Sequence, residues 1–212
     1  MPKKLIVGLG NPGASYAGTR HNLGWSVIEA LATREGVTWR EERAFHTLLA
    51  DLRIGHEQVL LSLPTTYMNE SGRAVHALTQ YFHIPLTDIL LVQDEMDFAF
   101  QTFAFRENGA DGGHQGIASI YALSGTTSFA RLRMGIGRPP LHMSSGDYVL
   151  QAFSPEERAQ MPELISRALK AVDNWMSDGL TMSMNLWNGV KYDADSTSPS
   201  ASSFPLGGDR LL

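Results

Sequence analysis

Hydrophobic positions in the first part of the chain follow a strand pattern and then a helical one. Residues 5–9 form an apolar run that ends in the turn-forming residues 10–13, which predicts a buried strand leading into a loop. Apolar side chains then recur at helical spacing over residues 25–32, between Asn22 as a cap and Gly36 as a stop. We therefore predict a strand, a loop and a helix in that order.

The next two apolar segments predict a β-hairpin followed by a second helix. Residues 47–54 and 58–63 flank the short segment Gly55-His56-Glu57, and this arrangement is typical of two antiparallel strands joined by a tight connection. A helical stripe over residues 75–82 ends before Pro85, which disfavours helix in the residue before it. The sheet is therefore expected to contain antiparallel strands.

The second half of the chain continues to alternate strand and helix patterns. We predict strands at residues 89–92, 102–106 and 131–137, a helix around residues 117–123, and a long helix that begins at Pro162 and ends at Gly179. In the strand at 131–137, basic residues or glycines alternate with apolar ones, which is typical of a strand with one exposed face.

This order of elements predicts one α/β domain built on a twisted mixed β-sheet that is flanked by helices. A length of 212 residues suits a single domain, which we assign to residues 1–190. The remaining residues, 191–212, are rich in Ser, Pro and Gly and are predicted to form a disordered tail.

Composition narrows the choice of partners and chemistry. The chain has 17 Lys and Arg against 22 Asp and Glu, a net charge of −5, so any contact with nucleic acid must come from a local basic patch. It contains 0 cysteines, which excludes disulfides, thiolate nucleophiles and cysteine-bound zinc. No apolar run is long enough for a membrane helix, and we expect a cytoplasmic protein without a membrane partner.

One motif suggests a nucleotide cofactor, but its context argues against that reading. Gly8-x-Gly10-x-x-Gly13 matches the dinucleotide-binding fingerprint, in which the helix must open inside the glycine motif. Here Asn11-Pro12-Gly13 is a turn and the helix cap comes only at Asn22. The motifs of serine hydrolases, zinc proteases and P-loop enzymes are also absent from the sequence. The sequence therefore argues against a nicotinamide or flavin cofactor and lacks the signatures of these three enzyme classes.

Polar residues that follow strands or begin helices are better candidates for chemistry. Asn11 and Asp94 follow predicted strands, and Asn69 and His114 lie where helices begin, so these groups are able to converge at one sheet edge. His21 near a helix start is by itself most often an exposed histidine, and Asn69 is most often a helix cap. With a carboxylate to orient its ring, however, His21 would act as a general base on water, and Asp94 is the best-placed partner by topology.

A glycine-rich loop at residues 112–116 and four arginines are candidates for phosphate binding. Such a loop lets backbone amides approach a phosphate or a carbonyl group closely. The arginines are more often a solvated face than a site, but beside this loop they would form a phosphate-binding patch on an acidic protein. They are Arg106, Arg131, Arg133 and Arg138.

Several motifs occur in an order that matches a known family. They are Leu5-Ile6-Val7-Gly8-Leu9-Gly10-Asn11-Pro12-Gly13, Thr19-Arg20-His21-Asn22, Pro64-Thr65-Thr66-Tyr67-Met68-Asn69, Asp94-Glu95-Met96-Asp97, Gly112-Gly113-His114, Arg131-Leu132-Arg133-Met134-Gly135-Ile136-Gly137 and Asp178-Gly179-Leu180-Thr181. Together they closely resemble the bacterial peptidyl-tRNA hydrolase family, and the resemblance extends from Lys4 to about Asn188.

The resemblance implies a monomeric enzyme that hydrolyses the ester between a peptide and the 3′ end of tRNA without metal or cofactor. It implies that His21 is the general base, that Asp94 holds its ring, and that Asn11 lies beside them. The implied substrate-binding residues are Asn69 for the peptide main chain or the oxyanion, Tyr16, Tyr67 and Met68 around the terminal adenosine, His114 and Gln115 in the glycine-rich motif, and Arg106 and Arg133 for the tRNA backbone.

The chain departs from the family pattern at three places. Gln115 stands where the family usually has Asn, and a displaced amide of this kind is expected to lower turnover by up to about 10²-fold unless the backbone compensates. The segment Ala99-Phe100-Gln101 replaces the usual Leu-Pro-x-Gly turn, and Glu107 and Asp111 add negative charge near Arg106.

Two other functions remain open at this point. The first is a non-catalytic RNA- or protein-binding platform on the same fold, resembling the plant organelle splicing cofactors, which the acidic surface and Gln115 favour. The second is a small-molecule esterase, which would leave Arg106 and Arg133 without a role.

Overall fold

The computed structural model describes residues 3–190, and at its centre lies one seven-stranded mixed sheet in the order β2-β3-β4-β1-β5-β7-β6. The strands are β1 (Lys3–Gly8), β2 (Arg40–Glu42), β3 (Thr47–Ile54), β4 (Glu57–Pro64), β5 (Ile89–Glu95), β6 (Phe103–Arg106) and β7 (Ala130–Gly135). The helices are α1 (Leu23–Arg34), α2 (Ser71–Phe82), α3 (Gln115–Ser124), α4 (Ser145–Val149) and α5 (Pro155–Trp187).

Four neighbouring strands, β4, β1, β5 and β7, are parallel, and β2, β3 and β6 pair antiparallel at the two edges. This arrangement confirms the predicted α/β fold with a mixed sheet. The chain builds one side of the sheet after β1 and the other side from β5 onward, so the strand order reverses next to β1. In open α/β sheets, ligands bind beyond the carboxyl ends of strands at such a reversal.

Helices cover both faces of the sheet. On one face, α1 and α5 pack over a core that includes Ile28, Leu132 and the fully buried Trp175. On the other face, α2 and α3 pack over Leu78 and Phe129. Burial of apolar side chains on both faces explains why β1, β4 and β5 are apolar along most of their length rather than alternating.

The prediction of an exposed face on the strand at 131–137 is wrong. β7 lies between β5 and β6. Arg131, which the alternation would place on the exposed face, is only 2% exposed. Arg131 is buried because the loop after β6 covers its side chain, and the guanidinium donates to the carbonyls of Asn108 and Ala110 in that loop.

The long carboxyl-terminal helix also differs from the prediction. It begins at Pro155 rather than Pro162, because Ser154 and Glu157 form a capping box in front of it. Pro162 lies inside the helix, and Gly179 is a kink with φ of 78° rather than the end. The short elements β2 and α4 were not predicted, and the proposed tail at 191–212 lies outside the described residues.

Within residues 3–190, no helix combines the length and the apolar character that crossing a bilayer requires.

Candidate active site

The carboxyl edge of the parallel strands brings His21 and Asp94 together. Asp94 is part of β5, one residue before its end, and His21 lies in a 3₁₀ turn between the β1 loop and α1. Helix α1 approaches β5 so closely that a β-carbon on Gly24 would collide with the carbonyl oxygen of Val92. Glycine at this position is therefore what allows the start of α1, and His21 with it, to reach the end of β5.

Asp94 accepts hydrogen bonds from two histidines on one oxygen. Its Oδ1 atom is 2.8 Å from Nδ1 of His21 and 3.1 Å from Nε2 of His114. Nδ1 of His114 accepts a hydrogen bond from the backbone N–H of Ile117. Nε2 of His114 therefore carries the hydrogen and donates to Asp94. The contact between His21 and Asp94 that topology predicted is confirmed.

Asp94 stays ionised because of these two neighbours. Burial alone would raise the pKa of the Asp94 carboxyl, since all but 3% of the residue is shielded from solvent. The N–H groups of His21 and His114, and the positive charges of these rings when they are protonated, outweigh burial and hold the pKa of Asp94 well below the ordinary value. A carboxylate that accepts from Nδ1 of His21 leaves Nε2 of that ring as the nitrogen able to take a proton.

A cavity of about 250 Å³ lies beside the two histidines. Its lining includes His21, Asp94, His114 and Gln115, together with the glycines of the 112–113 loop and a wall that comes from α4. Gln115, the first residue of α3, is exposed to this space and forms no side-chain hydrogen bond within residues 3–190. The expected cost of Gln115 to turnover stays a prediction.

Asn11 does not line the cavity and is held in place by three hydrogen bonds. Its Oδ1 atom accepts from the backbone N–H of Met68 at 2.7 Å, and its own backbone pairs twice with the side chain of Asn22. The sequence predicts Asn22 as the cap of α1, but its side chain makes no capping hydrogen bond. The Asn22 amide holds the loop after β1 instead. The geometry leaves the Nδ2 group of Asn11 without a protein acceptor among the described residues.

The predicted adenosine wall is partly assembled on the surface. The rings of Tyr16 and Tyr67 lie 6.2 Å apart in an edge-to-face arrangement, and Met68 beside them is buried. Asn69 is exposed in the 3₁₀ turn before α2 and its side chain does not cap that helix. None of these four residues lines the cavity next to His21. Tyr67 and Asn69 are exposed, whereas Met68 is part of the core.

The arginines proposed for the tRNA backbone have different surroundings. Arg133 donates from Nε and its NH2 group to Oε2 of Glu95, at 2.7 and 2.6 Å. Arg106 is exposed at the end of β6 and has no ion-pair partner within residues 3–190. The charge of Arg133 is thus already balanced in the free protein, whereas that of Arg106 is available to a ligand.

The unusual segment at Ala99-Phe100-Gln101 still forms a tight turn. Gln101 has a φ of 74°, in the left-handed region that glycine favours, and the N–H of Thr102 donates to the carbonyl of Ala99. Arg167 on α5 donates to the backbone oxygen of Gln101 and so holds the strained residue in place. Polar contacts thereby compensate for the missing glycine.

Two parts of the site were missed in the sequence. Glu95 lines the cavity and binds Arg133, although the sequence placed it only as the neighbour of Asp94. The wall from α4 is anchored through Arg20, whose guanidinium binds Glu157 and stacks on Tyr148 at 4.5 Å. The adjacent pair Asp94-Glu95 and the capping signal before α5 were the only sequence signals for these features.

The three cavity side chains also have the composition of a metal site. The donor atoms of His21, Asp94 and His114 all lie within 4.8 Å of one another. In this geometry Nδ1 of His21 and Nε2 of His114 both donate to Oδ1 of Asp94, and a cation would have to displace these hydrogen bonds. The positions of His21, Asp94 and His114 are thus explained by hydrogen bonds among them at least as well as by binding of a metal ion. The absence of a metal stays a prediction.

A buried histidine oriented by a carboxylate, next to a cavity at the carboxyl edge of a mixed sheet, is the type of arrangement that hydrolases use to activate water. Comparison with known proteins gives the family. The family model described as peptidyl-tRNA hydrolase matches residues 5–195. The chain belongs to the peptidyl-tRNA hydrolase family.

Individual relatives agree over nearly their whole length. The chain is 48% identical over 185 residues to the peptidyl-tRNA hydrolase of Chloroflexus aggregans, covering 87% of this chain and 98% of that protein. It is 43% identical over 206 residues to that of Roseiflexus castenholzii, covering 94% and 96%. The crystal structure of peptidyl-tRNA hydrolase from Acinetobacter baumannii superimposes with a TM-score of 0.83 at 36% identity, covering 89% and 95%.

These matches confirm the predicted family and fold. They give no support to the alternative of a non-catalytic binding platform, because the relatives carry the name of the hydrolase.

Proposed function

We propose that the chain hydrolyses the ester that joins a peptide to the 3′ end of tRNA, with water activated by His21. The observation that carries this proposal is the 2.8 Å contact between Nδ1 of His21 and Oδ1 of Asp94 beside a cavity large enough for a reacting ester. Membership of the peptidyl-tRNA hydrolase family supplies the substrate class.

The reaction needs only a base, a water molecule and hydrogen-bond donors. His21 takes a proton on Nε2 from water as the water oxygen bonds to the ester carbonyl carbon, and Asp94 balances the positive charge on the ring. The bond from that carbon to the ribose oxygen then breaks, and the proton on His21 passes to the leaving 3′ hydroxyl group. Asn69 and the Nδ2 group of Asn11 are the proposed donors to the oxyanion and the peptide main chain.

We assign the rest of the substrate to the surface around this cavity. Tyr16, Tyr67 and Met68 would pack against the terminal adenosine, since exposed aromatic rings stack on bases. Arg106 and Arg133 would contact backbone phosphates. His114 and Gln115 would border the ester itself. A monomer in the cytoplasm, where charged tRNA is used, completes the proposal.

The direct test is release of an N-blocked aminoacyl group from tRNA by the purified protein at low salt. We expect turnover that EDTA leaves unchanged, because His21 and Asp94 supply the base without a metal. Loss of activity in EDTA, restored by a divalent cation, would make the His21, Asp94 and His114 trio a metal site. A folded protein without turnover at any salt concentration would contradict the proposed function.

Substitution of Arg106 by Gln tests whether the substrate is a polyanion. We expect KM for peptidyl-tRNA to rise, kcat to stay unchanged, and the slope of log binding constant against log salt to fall by about 1. Arg133→Gln should change this slope less than Arg106→Gln does, because Glu95 already neutralises Arg133.

The matched control for this measurement is Arg53→Gln. It removes an exposed arginine from β3, which lies near the edge of the sheet opposite to β6. A small-molecule esterase would show no change in any of the three variants. An equal effect of Arg53→Gln would mean that only net charge matters and that Arg106 is not at the binding surface.

A further inference from the structure

Arg131 on β7 is a buried cation that the proposed reaction does not use. It is 2% exposed, and within residues 3–190 no carboxylate lies within ion-pair distance of its guanidinium. Burial lowers the pKa of Arg131, yet arginine stays charged because its ordinary pKa is so high. Its Nε atom and the nearby hydroxyl group of Tyr121 have no hydrogen-bond partner in the described part of the chain. An apolar side chain would fill this space with less desolvation, so packing alone does not explain the charge.

The guanidinium instead spans the glycine-rich loop that leads to α3. One terminal nitrogen of Arg131 donates to the carbonyl of Asn108 at 2.9 Å, and the other donates to the carbonyl of Ala110 at 3.1 Å. The side chain also lies over the ring of Tyr121, 5.8 Å from its centroid. A single rigid fork thus fixes two carbonyl groups of an otherwise exposed loop to an interior strand of the sheet.

Hydrogen bonds continue from this loop to the proposed catalytic carboxylate. Asp111 follows Ala110 directly, its backbone oxygen accepts from the N–H of His114 at 3.1 Å, and its Oδ1 atom accepts from the N–H of Gly113 at 2.7 Å. His114 in turn donates to Asp94. Because β7 pairs directly with β5, the arginine and the carboxylate stand on neighbouring parallel strands.

We propose that Arg131 is a positioning residue, which ties the loop at residues 108–113 to β7 and thereby sets His114 against Asp94 beside His21. The expected effect of Arg131 on rate rests on the proposed function. The tie, meaning the two hydrogen bonds from Arg131 to the carbonyls of Asn108 and Ala110, does not depend on that function. This role differs from that of Arg106 on β6 and Arg133 on β7, which are assigned to phosphate contacts. Arg131 is buried beneath the loop and so is not available to tRNA.

Arg131→Lys is the first variant that tests this assignment, because lysine keeps the charge but cannot span two carbonyl groups. We expect kcat for peptidyl-tRNA to fall about 10- to 100-fold, since small misplacements of a catalytic group have effects of this size. KM and the salt slope should stay at their wild-type values. The control is Arg34→Lys, the same change at an exposed ion pair on α1.

Gly109→Ala tests the tie from the loop side, without changing any side chain in the core. Gly109 has a φ of 122°, and a β-carbon there would lie 3.3 Å from a terminal nitrogen of Arg131. We expect a fall in kcat in the same direction as for Arg131→Lys. The control is Gly125→Ala, which has a φ of 67° at the end of α3 but meets no atom within 4 Å. This variant keeps the proposal testable if Arg131→Lys does not fold.

Hydrogen exchange measured by mass spectrometry gives a readout that does not depend on activity. In both variants we expect faster exchange in the segment 108–114 and unchanged exchange in α2. Unchanged exchange in that segment, or a rise in KM with kcat intact, would overturn the positioning role. A wild-type protein that lacks hydrolytic activity but shows the exchange difference would contradict the proposed function and leave the tie established.

Discussion

His21→Asn is expected to lower kcat for peptidyl-tRNA hydrolysis by about 10²–10⁴-fold, the usual contribution of a positioned general base. Asparagine can place its Nδ2 group near the position of Nδ1 and still donate to Asp94. It has no second ring nitrogen to accept a proton from water. The variant therefore removes the base while preserving the hydrogen bond at the buried carboxylate. KM should change little, because the substrate contacts proposed for the tyrosines and arginines remain.

The effect is measured as release of an N-blocked aminoacyl group, under single-turnover conditions that separate chemistry from product release. His76→Asn is the matched control, since His76 is exposed on α2 and lies away from the cavity at His21. His21→Asn that keeps a wild-type kcat would exclude His21 as the base. His114 would then be the remaining imidazole beside Asp94.

The meeting of His21 and Asp94 could be predicted from sequence because it depends on a property of parallel sheets. A short apolar run predicts a buried parallel strand, and the polar residue at its carboxyl end is directed to the edge where ligands bind. Asp94 satisfies this rule, although β5 extends through Asp94 to Glu95 rather than stopping before it. The distance of 2.8 Å between the two side chains needed the structure.

Arg131 shows why the remaining assignments could not be made from sequence. The alternation of residues in 131–137 fits a strand with one solvated face, but burial of that face depends on what packs against it. The loop after β6 covers Arg131, and this contact leaves no mark in the sequence of β7. The start of α5 is different, because its capping signal Ser154-x-x-Glu157 is present in the sequence, whereas Pro162 lies inside the helix.

Asp94→Asn is expected to lower kcat by about 10³–10⁴-fold, an effect of the size that loss of the orienting carboxylate has in Ser-His-Asp hydrolases. The substitution keeps the size of the side chain and removes the charge that balances a protonated His21. It also allows an amide N–H to face Nδ1 of His21, which favours the wrong tautomer of the ring. Asp97→Asn is the matched control, three residues further on, where the side chain is exposed and pairs with Arg138.

Acid unfolding of the same variant tests the electrostatics of the site independently of catalysis. Burial opposes ionisation of Asp94, but His21 and His114 outweigh it, so the pKa of the carboxyl is lower in the folded protein than its ordinary 3.8. A lowered pKa stabilises the folded state at every pH above the ordinary value, and this contribution is lost as the pH falls below it. The free energy of unfolding of Asp94→Asn should therefore depend less on pH below about 4 than that of Asp97→Asn. Equal acid dependence in the two variants would mean that the histidines do not hold Asp94 ionised, and the charge-balancing role of Asp94 would fail with it.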